Sequence, residues 1–330
     1  MKPLIGWKPV TTDRRVASAR LRCFLPMDCL NAAGWNCELF DERRIDRYEL
    51  VIFQKVYDDA SFLVAEKLKR LGAKTLLDLC DNHFYIHAEK PALRERAERL
   101  QRMVDMVDFM SVSTMELKKL FPERQVTVID DAVEWPRETA RLKSYSRWKK
   151  LSSRRLRIVW YGHAGEDNPP FGLIDLPKIL PALENLNSRL PLTLTVISNS
   201  EEAAKRYVQG VSFPFEYREW KERSFAYVFR SQDVCVIPVT LNPFTVCKTS
   251  NRLVLSLLHH VPVVADRVPS YEEFRSFVLF DQWERSIYTY ATDKELRNRH
   301  IRDGVEYIRK NYGPERVLRQ WSSLFNAVLG

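Results

Sequence analysis

The densest group of anion-binding residue types in this 330-residue chain is Lys248, Thr249, Ser250, Asn251 and Arg252. An apolar run, VCVIPV, precedes it, and a helical pattern over Asn251–His259 follows. A helix start presents unbonded N–H groups and a partial positive charge, so an anion is favoured there. Lys248 and Arg252 straddle that start, and Ser250 or Asn251 is suited to cap it. Two cations and a capped helix end make a cradle for a diphosphate. The same residues also fit an ordinary capped helix with exposed basic side chains.

Three further groups have types and spacing that suit chemistry. Gly162-His163-Ala164-Gly165 follows an apolar strand-like run, and glycines there let a backbone approach a phosphate or sugar. His163 suits a phosphate or glycosidic oxygen, or simply a loop. Asp78, Asp81, His83 and His87 cluster at and beyond another strand end. A base there, Asp81 first and His83 second, would deprotonate an acceptor hydroxyl; a capped helix start with surface histidines is the alternative. A metal site is not expected, because D-x-x-D-x-H is not a distinctive ligand pattern. Ser18 and Arg20, with Arg22, open a helix after the first strand, where the arginines face either a phosphorylated acceptor or solvent.

These groups must be held by regular elements. Short apolar runs such as LVIF and TLLDL alternate with helical patterns throughout the first half, and the alternation restarts after residue 155. Such alternation implies βαβ units with parallel sheets buried on both faces. The expected fold is therefore α/β: two Rossmann-like, doubly wound parallel-sheet domains facing a cleft. The first domain is assigned to 1–140, the second to 141–312, and a final helix to 313–330. A helix over Arg20–Ala33 should break or kink at Pro26.

Composition narrows the class. Hydrophobic residues make 45% and charged residues 29%, a globular balance. The N-terminus lacks a signal-peptide pattern, and nothing reaches the roughly 18 apolar residues needed to span a bilayer, so a cytoplasmic location is expected. Six scattered cysteines without a CxxC pair fit free thiols. The net charge of +9 is concentrated between Arg137 and Arg157, where nine basic residues face only Glu138. That run suits either a solvated linker or a peripheral contact with an anionic membrane. A nucleic-acid partner is not expected, since no recognition element accompanies the charge.

The stretch from Pro238 to Phe274 resembles the donor-binding segment of GT-B glycosyltransferases, especially family 4-like enzymes. There a strand ending in Pro leads through a loop to a helix, and a G-x-P-V-V-A strand completes the unit; here His260-Val261-Pro262-Val263-Val264-Ala265 stands in that last position. RIVWYG (157–162) is similar to the first donor-domain strand and its glycine loop, and LTVISN (194–199) to the second strand. VIDDAVEWP (128–136) and KTLLDLCDN (74–82) also fall in order. The resemblance implies a glycosyltransferase that moves a sugar from a nucleotide-sugar donor to a glycan or lipid-linked acceptor in bacterial surface polysaccharide synthesis. It implies an acceptor side in 1–140, a donor domain in 141–312, a helix over 313–330 that crosses back to the first domain, a base-contacting loop at Phe213–Trp220, no cofactor and no bound metal. Donor contacts would come from Gly162, His163, Ser198, Asn199, Tyr217, Lys248, Thr249, Ser250, Asn251 and Arg252, and acceptor-side contacts from Ser18 and Arg20. Retaining members carry two glutamates spaced E-x7-E, but Cys247 and Leu255 occupy those positions here, and His260 replaces a glycine. A non-catalytic protein that binds a sugar nucleotide or glycan is the alternative.

Overall fold

The structure is a computed structural model that describes residues 2–136, 139, 142, 144, 155–167 and 169–330. Of the basic run, Arg137, Arg141, Lys143, Arg147, Lys149, Lys150 and Arg154 lie outside these residues. The chain divides into two compact units. One comprises Met1–Val133, Val246–Thr249 and Asn311–Gly330; the other comprises Glu134–Thr245 and Ser250–Lys310.

The first unit is built on strands β1 (Leu4–Pro9), β2 (Asn36–Leu39), β3 (Leu50–Gln54), β4 (Lys74–Leu79), β5 (Phe109–Val112) and β6 (Val126–Val128). They form one sheet in the order β2-β1-β3-β4-β5-β6, with every neighbouring pair parallel. All five residues of β3 are buried, because helices cover both faces of a parallel sheet. The chain order reverses between β1 and β3. In open α/β sheets ligands bind beyond the carboxyl ends of the strands at such a switch point.

The helix after β1 is not broken at Pro26. It runs as α over Ala17–Ala19, as a π turn over Arg20–Phe24, and as α again over Leu25–Ala32. A proline ring clashes with the carbonyl four residues back. The wider π turn absorbs that clash: the Leu25 amide donates to the Arg20 carbonyl, five residues back, and Pro26 sits in the first turn of the following segment. The last helix, Pro314–Leu329, packs on this unit, with Trp321 fully buried and its ring 4.9 Å edge-on from Trp7.

The second unit carries β7 (Leu156–Tyr161), β8 (Gly165–Asp167), β9 (Pro170–Gly172), β10 (Leu192–Ser198), β11 (Phe215–Glu219), β12 (Val234–Ile237), β13 (Val263–Ala265) and β14 (Leu279–Phe280). Six of them make an all-parallel sheet, β11-β10-β7-β12-β13-β14. The third, second, first and fourth main strands thus lie side by side, the dinucleotide-fold order, with the reversal between β7 and β12. The segment expected as a loop at Phe213–Trp220 contains edge strand β11, whose partly exposed, charged residues hid its period. Strands β8 and β9 form an antiparallel hairpin. Gly165 and Gly172 pack so closely there that a Cβ on Gly165 would lie 1.7 Å from the Phe171 carbonyl oxygen. Gly165 thus serves the hairpin, which accounts for half of the expected glycine loop.

Candidate functional site

In the second unit the predicted residues converge at the carboxyl ends of β7, β10 and β11. Ser200 caps the helix over Glu201–Tyr207, its Oγ accepting from the Ala203 amide at 3.1 Å, and so holds the turn that carries Asn199. Asn199 Oδ1 accepts from the Ala164 amide at 2.7 Å and from Ser198 Oγ at 3.3 Å. Its Nδ2 lies 3.0 Å from His163 Nε2, while the Gly165 amide lies 3.1 Å from Nδ1 of the same ring. Both neighbours are donors and a neutral imidazole has a single acceptor nitrogen, so one of these two contacts holds the ring in the loop at a time. Tyr217 Oη donates to the Ser198 carbonyl at 3.0 Å. Gly162, His163, Ser198, Asn199 and Tyr217 thus form one polar patch.

Arg252 joins this patch at the switch point. A Cβ on Gly162 would lie 3.4 Å from Arg252 Nη1, so the guanidinium lies directly against the bare backbone after β7. Arg252 Nη1 donates to the Tyr161 carbonyl at 3.4 Å, and the guanidinium carbon is 5.9 Å from the Trp160 ring centroid. Tyr161 Oη donates to the Arg252 carbonyl at 2.7 Å, fixing the first turn of the helix over Asn251–Leu258. Ser250 occupies the N-cap position and is buried, but its side chain makes no capping bond. Its ψ of 10° is not the extended backbone a capping serine adopts, which corrects the expected cap.

Two carboxylates that sequence reasoning missed lie in the same unit. Asp175 Oδ1 accepts from the Thr240 amide at 2.9 Å, and burial raises its carboxyl above the usual range. Asp266, directly after β13, accepts from Lys178 at 2.8 Å and from the Val239 amide at 2.7 Å. Only the D after VPVVA marked Asp266 in the sequence; nothing local marked Asp175.

Lys248 and Thr249 belong to the first unit, although Arg252 is four residues away in the chain. The Cys247 side chain packs in the core of that unit, and its carbonyl accepts from Thr114 Oγ1 at 3.1 Å. Thr249 Oγ1 donates to Asp131 Oδ2 at 3.0 Å. Lys248 Nζ pairs with Asp81 Oδ1, and Lys55 Nζ lies 2.5 Å from Asp81 Oδ2. Lys55 directly follows β3 at the switch point and holds a left-handed φ of 59°, rare for a residue with a side chain. Its backbone signal was invisible in the sequence.

This arrangement decides what the expected bases can do. Burial would raise the Asp81 carboxyl, but Lys248 and then Lys55 hold it well below the usual carboxylate range. A carboxylate so stabilised is a weak base and a strong anchor for two ammonium groups. His83 is buried, and burial together with Lys55 pushes its pKa down to about 3. Its Nδ1 contacts Tyr57 Oη, whose own pKa burial raises to about 12. Arg22, expected to face an acceptor or solvent, is instead buried against Asp78 of the strand-end cluster, with Ser111 Oγ donating to Asp78 at 2.7 Å. Ser18 is half-buried, and Arg20 Nη1 donates back to the Arg14 carbonyl in the preceding loop at 2.7 Å. Among the described residues no helix is long and apolar enough to cross a membrane.

No family model and no curated protein sequence matches the chain. Its fold is similar to solved structures. HepE of Anabaena, solved in complex with UDP and glucose, matches with a TM-score of 0.71 at 11% identity over 99% of this chain and 100% of its own. A glycosyltransferase of Rickettsia africae matches at 0.69 and 9% identity, covering 99% of this chain and 98% of that one. The pneumococcal O-GlcNAc transferase GtfA, solved with UDP and GlcNAc, matches at 0.59 and 13% identity over 85% of this chain and 57% of its own. At these identities the likeness establishes the two-sheet GT-B fold.

Proposed function

We propose that the chain is a glycosyltransferase that takes a sugar from a nucleotide-sugar donor. The carrying observation is the Arg252 guanidinium set against Gly162 where the second sheet reverses order, beside the Asn199 and Ser198 patch. A guanidinium at that position would offset charge developing on a departing diphosphate, stabilising the transition state more than the ground state. The backbone at Gly162, without a Cβ, admits a phosphate or sugar close to that cation. Asn199 and Tyr217 would orient the rest of the donor, and Ser250 and Asn251 present the helix start. The presence of UDP with a sugar in HepE and GtfA supports a donor of this class.

Within this reading Asp81 holds Lys248 and Lys55 in place rather than acting as a base, and Lys248 is a positioned cation. His83 presents a neutral imidazole toward an acceptor hydroxyl, and Ser18 and Arg20 lie on the acceptor side. The transfer needs no metal, and the acceptor is a glycan or lipid-linked sugar of a bacterial surface polysaccharide. The basic run would bring a cytoplasmic enzyme to anionic lipid. Liposome flotation tests that part: no recovery with anionic vesicles at low salt removes it.

A second reading is favoured by one observation: Asp81 is already paired with Lys248 and Lys55, and His83 is buried against Tyr57. The fold would then bind a sugar nucleotide without transferring the sugar. A panel of UDP-, GDP- and CMP-sugars separates the two. Release of free nucleotide in the presence of acceptor glycan supports transfer, whereas a raised melting temperature with no turnover supports binding only.

A further inference from the structure

The second unit has a cleft of about 670 Å³ at the amino ends of β12 and β13, the opposite end of the strands from Arg252. Its walls are the residues that lead into β12 and β13, including Asp233, His260 and Pro262, and one face of the helix over Lys294–Asn311. That face sets Arg297, Arg302 and Arg309 along the cleft, above an apolar floor that includes Ile301 and Val305. Guanidinium groups present paired N–H donors that match phosphate oxygens. Asp233 is already neutralised, since Arg157 reaches it through Nη2 at 2.8 Å and Nε at 3.0 Å. Arg302 shares an ion pair with Asp303 at 2.8 Å, and Arg297 Nη1 holds the Tyr290 carbonyl at 3.1 Å. Glu306 is the other carboxylate among the lining residues, beside three arginines in the same lining.

His260 supplies a second, independent observation. It stands just past the helix over Asn251–Leu258 with a left-handed φ of 58°. The Val261 amide bonds the Ser256 carbonyl at 3.0 Å and the His260 amide bonds the Leu257 carbonyl at 2.8 Å, the bond pattern of a Schellman helix end. Glycine is the usual residue at that position because it carries no side-chain penalty there. A histidine kept in a strained conformation while lining a cleft points to use of its ring.

We infer that this cleft binds an organic phosphate of sugar-phosphate to nucleotide size, with its phosphate on the Arg302 and Arg309 side and its carbon skeleton on the apolar floor. The volume falls in the range of small-molecule sites, roughly 300–1,000 Å³. The site is separate from the one proposed for the donor, so either can fail without the other.

The test is calorimetric titration of the full chain with glucose 1-phosphate, and with inorganic phosphate as the control for size. Binding should weaken at least about tenfold in the Arg302→Ala/Arg309→Ala double variant, the loss expected for charge-assisted bonds, and be unchanged in Arg252→Ala. His260→Gly should weaken binding while raising the melting temperature, a combination that a purely structural histidine would not give. Both arginines are exposed, so the double variant should fold; if it melts early, Arg309→Gln carries the same comparison. Absence of glucose 1-phosphate binding, equal binding by the double variant, or loss only in Arg252→Ala would each overturn the inference. Equally tight binding of inorganic phosphate would overturn the organic-phosphate assignment.

Discussion

His83 should make the chain lose stability in mild acid, through one identifiable proton. Its ring is buried beside Lys55, Asp81, Arg96, Lys248 and Tyr57, and its pKa falls from 6.5 to about 3. Above pH 6.5 the ring is neutral in both folded and unfolded chains, so its contribution to stability is fully present. As pH falls below 6.5 the unfolded chain takes up a proton that the folded chain refuses, and stability declines until about pH 3. That difference costs about 2 kcal/mol at pH 5 and about 3 kcal/mol at pH 4. Urea unfolding of the wild type and His83→Gln at pH 7 and pH 5 isolates it, because Gln keeps a partner for Tyr57 but does not titrate. His300, whose pKa burial also lowers, and Asp175, whose carboxyl burial raises, titrate equally in both chains and cancel. The wild type should lose about 2 kcal/mol more than the variant over that interval. Equal losses would refute the assignment of a neutral, buried His83.

Other substitutions test neighbouring parts of the account. Asp81→Asn keeps the side-chain shape but strips two ammonium groups of their counter-charge. It should destabilise by on the order of 3 kcal/mol, reduced where Lys248 reaches solvent, and urea unfolding near pH 7 measures it. Stability within about 0.5 kcal/mol of wild type would show that the lysines do not depend on it. Gly165→Ala, with φ at 85° and the Phe171 carbonyl in the way, should cost at least about 1–3 kcal/mol and weaken nucleotide binding by displacing the His163 loop. Trp321→Ala should cost about 3–5 kcal/mol, read from the denaturation midpoint, because it empties a fully buried site against Trp7.

The fold was largely legible because each buried parallel strand is a short, nearly continuous apolar run. LVIF, TLLDL and VCVI are β3, β4 and β12 with all their aliphatic residues buried. Edge elements were harder. Strand β11 carries Glu216, Arg218 and Glu219, and the hairpin of β8 and β9 was hidden behind glycines that suited a phosphate loop. Helix continuity through Pro26 required a π turn that no period of 3.6 residues announces.

The site was legible only where its chemistry lay in consecutive residues. Ser198 ends β10, Asn199 and Gly162 directly follow strands, and topology makes those positions converge. Lys55 escaped notice because its partner Asp81 is 26 residues away, and its left-handed backbone leaves no trace in composition. The role of Lys248 depends on a carboxylate 167 residues distant, so residues that read as one cradle divide between two compact units. Charge effects of this kind depend on three-dimensional neighbours, which spacing along the chain does not report.

The most direct measurement of the central claim is titration of UDP, GDP and CDP into the wild type and Arg252→Ala. The account predicts that one nucleoside diphosphate binds the wild type, and that the variant loses roughly 1.5–3 kcal/mol of that affinity while its melting temperature is little changed. Failure of every nucleotide to bind, or equal affinity in both proteins, would contradict a diphosphate site at Arg252.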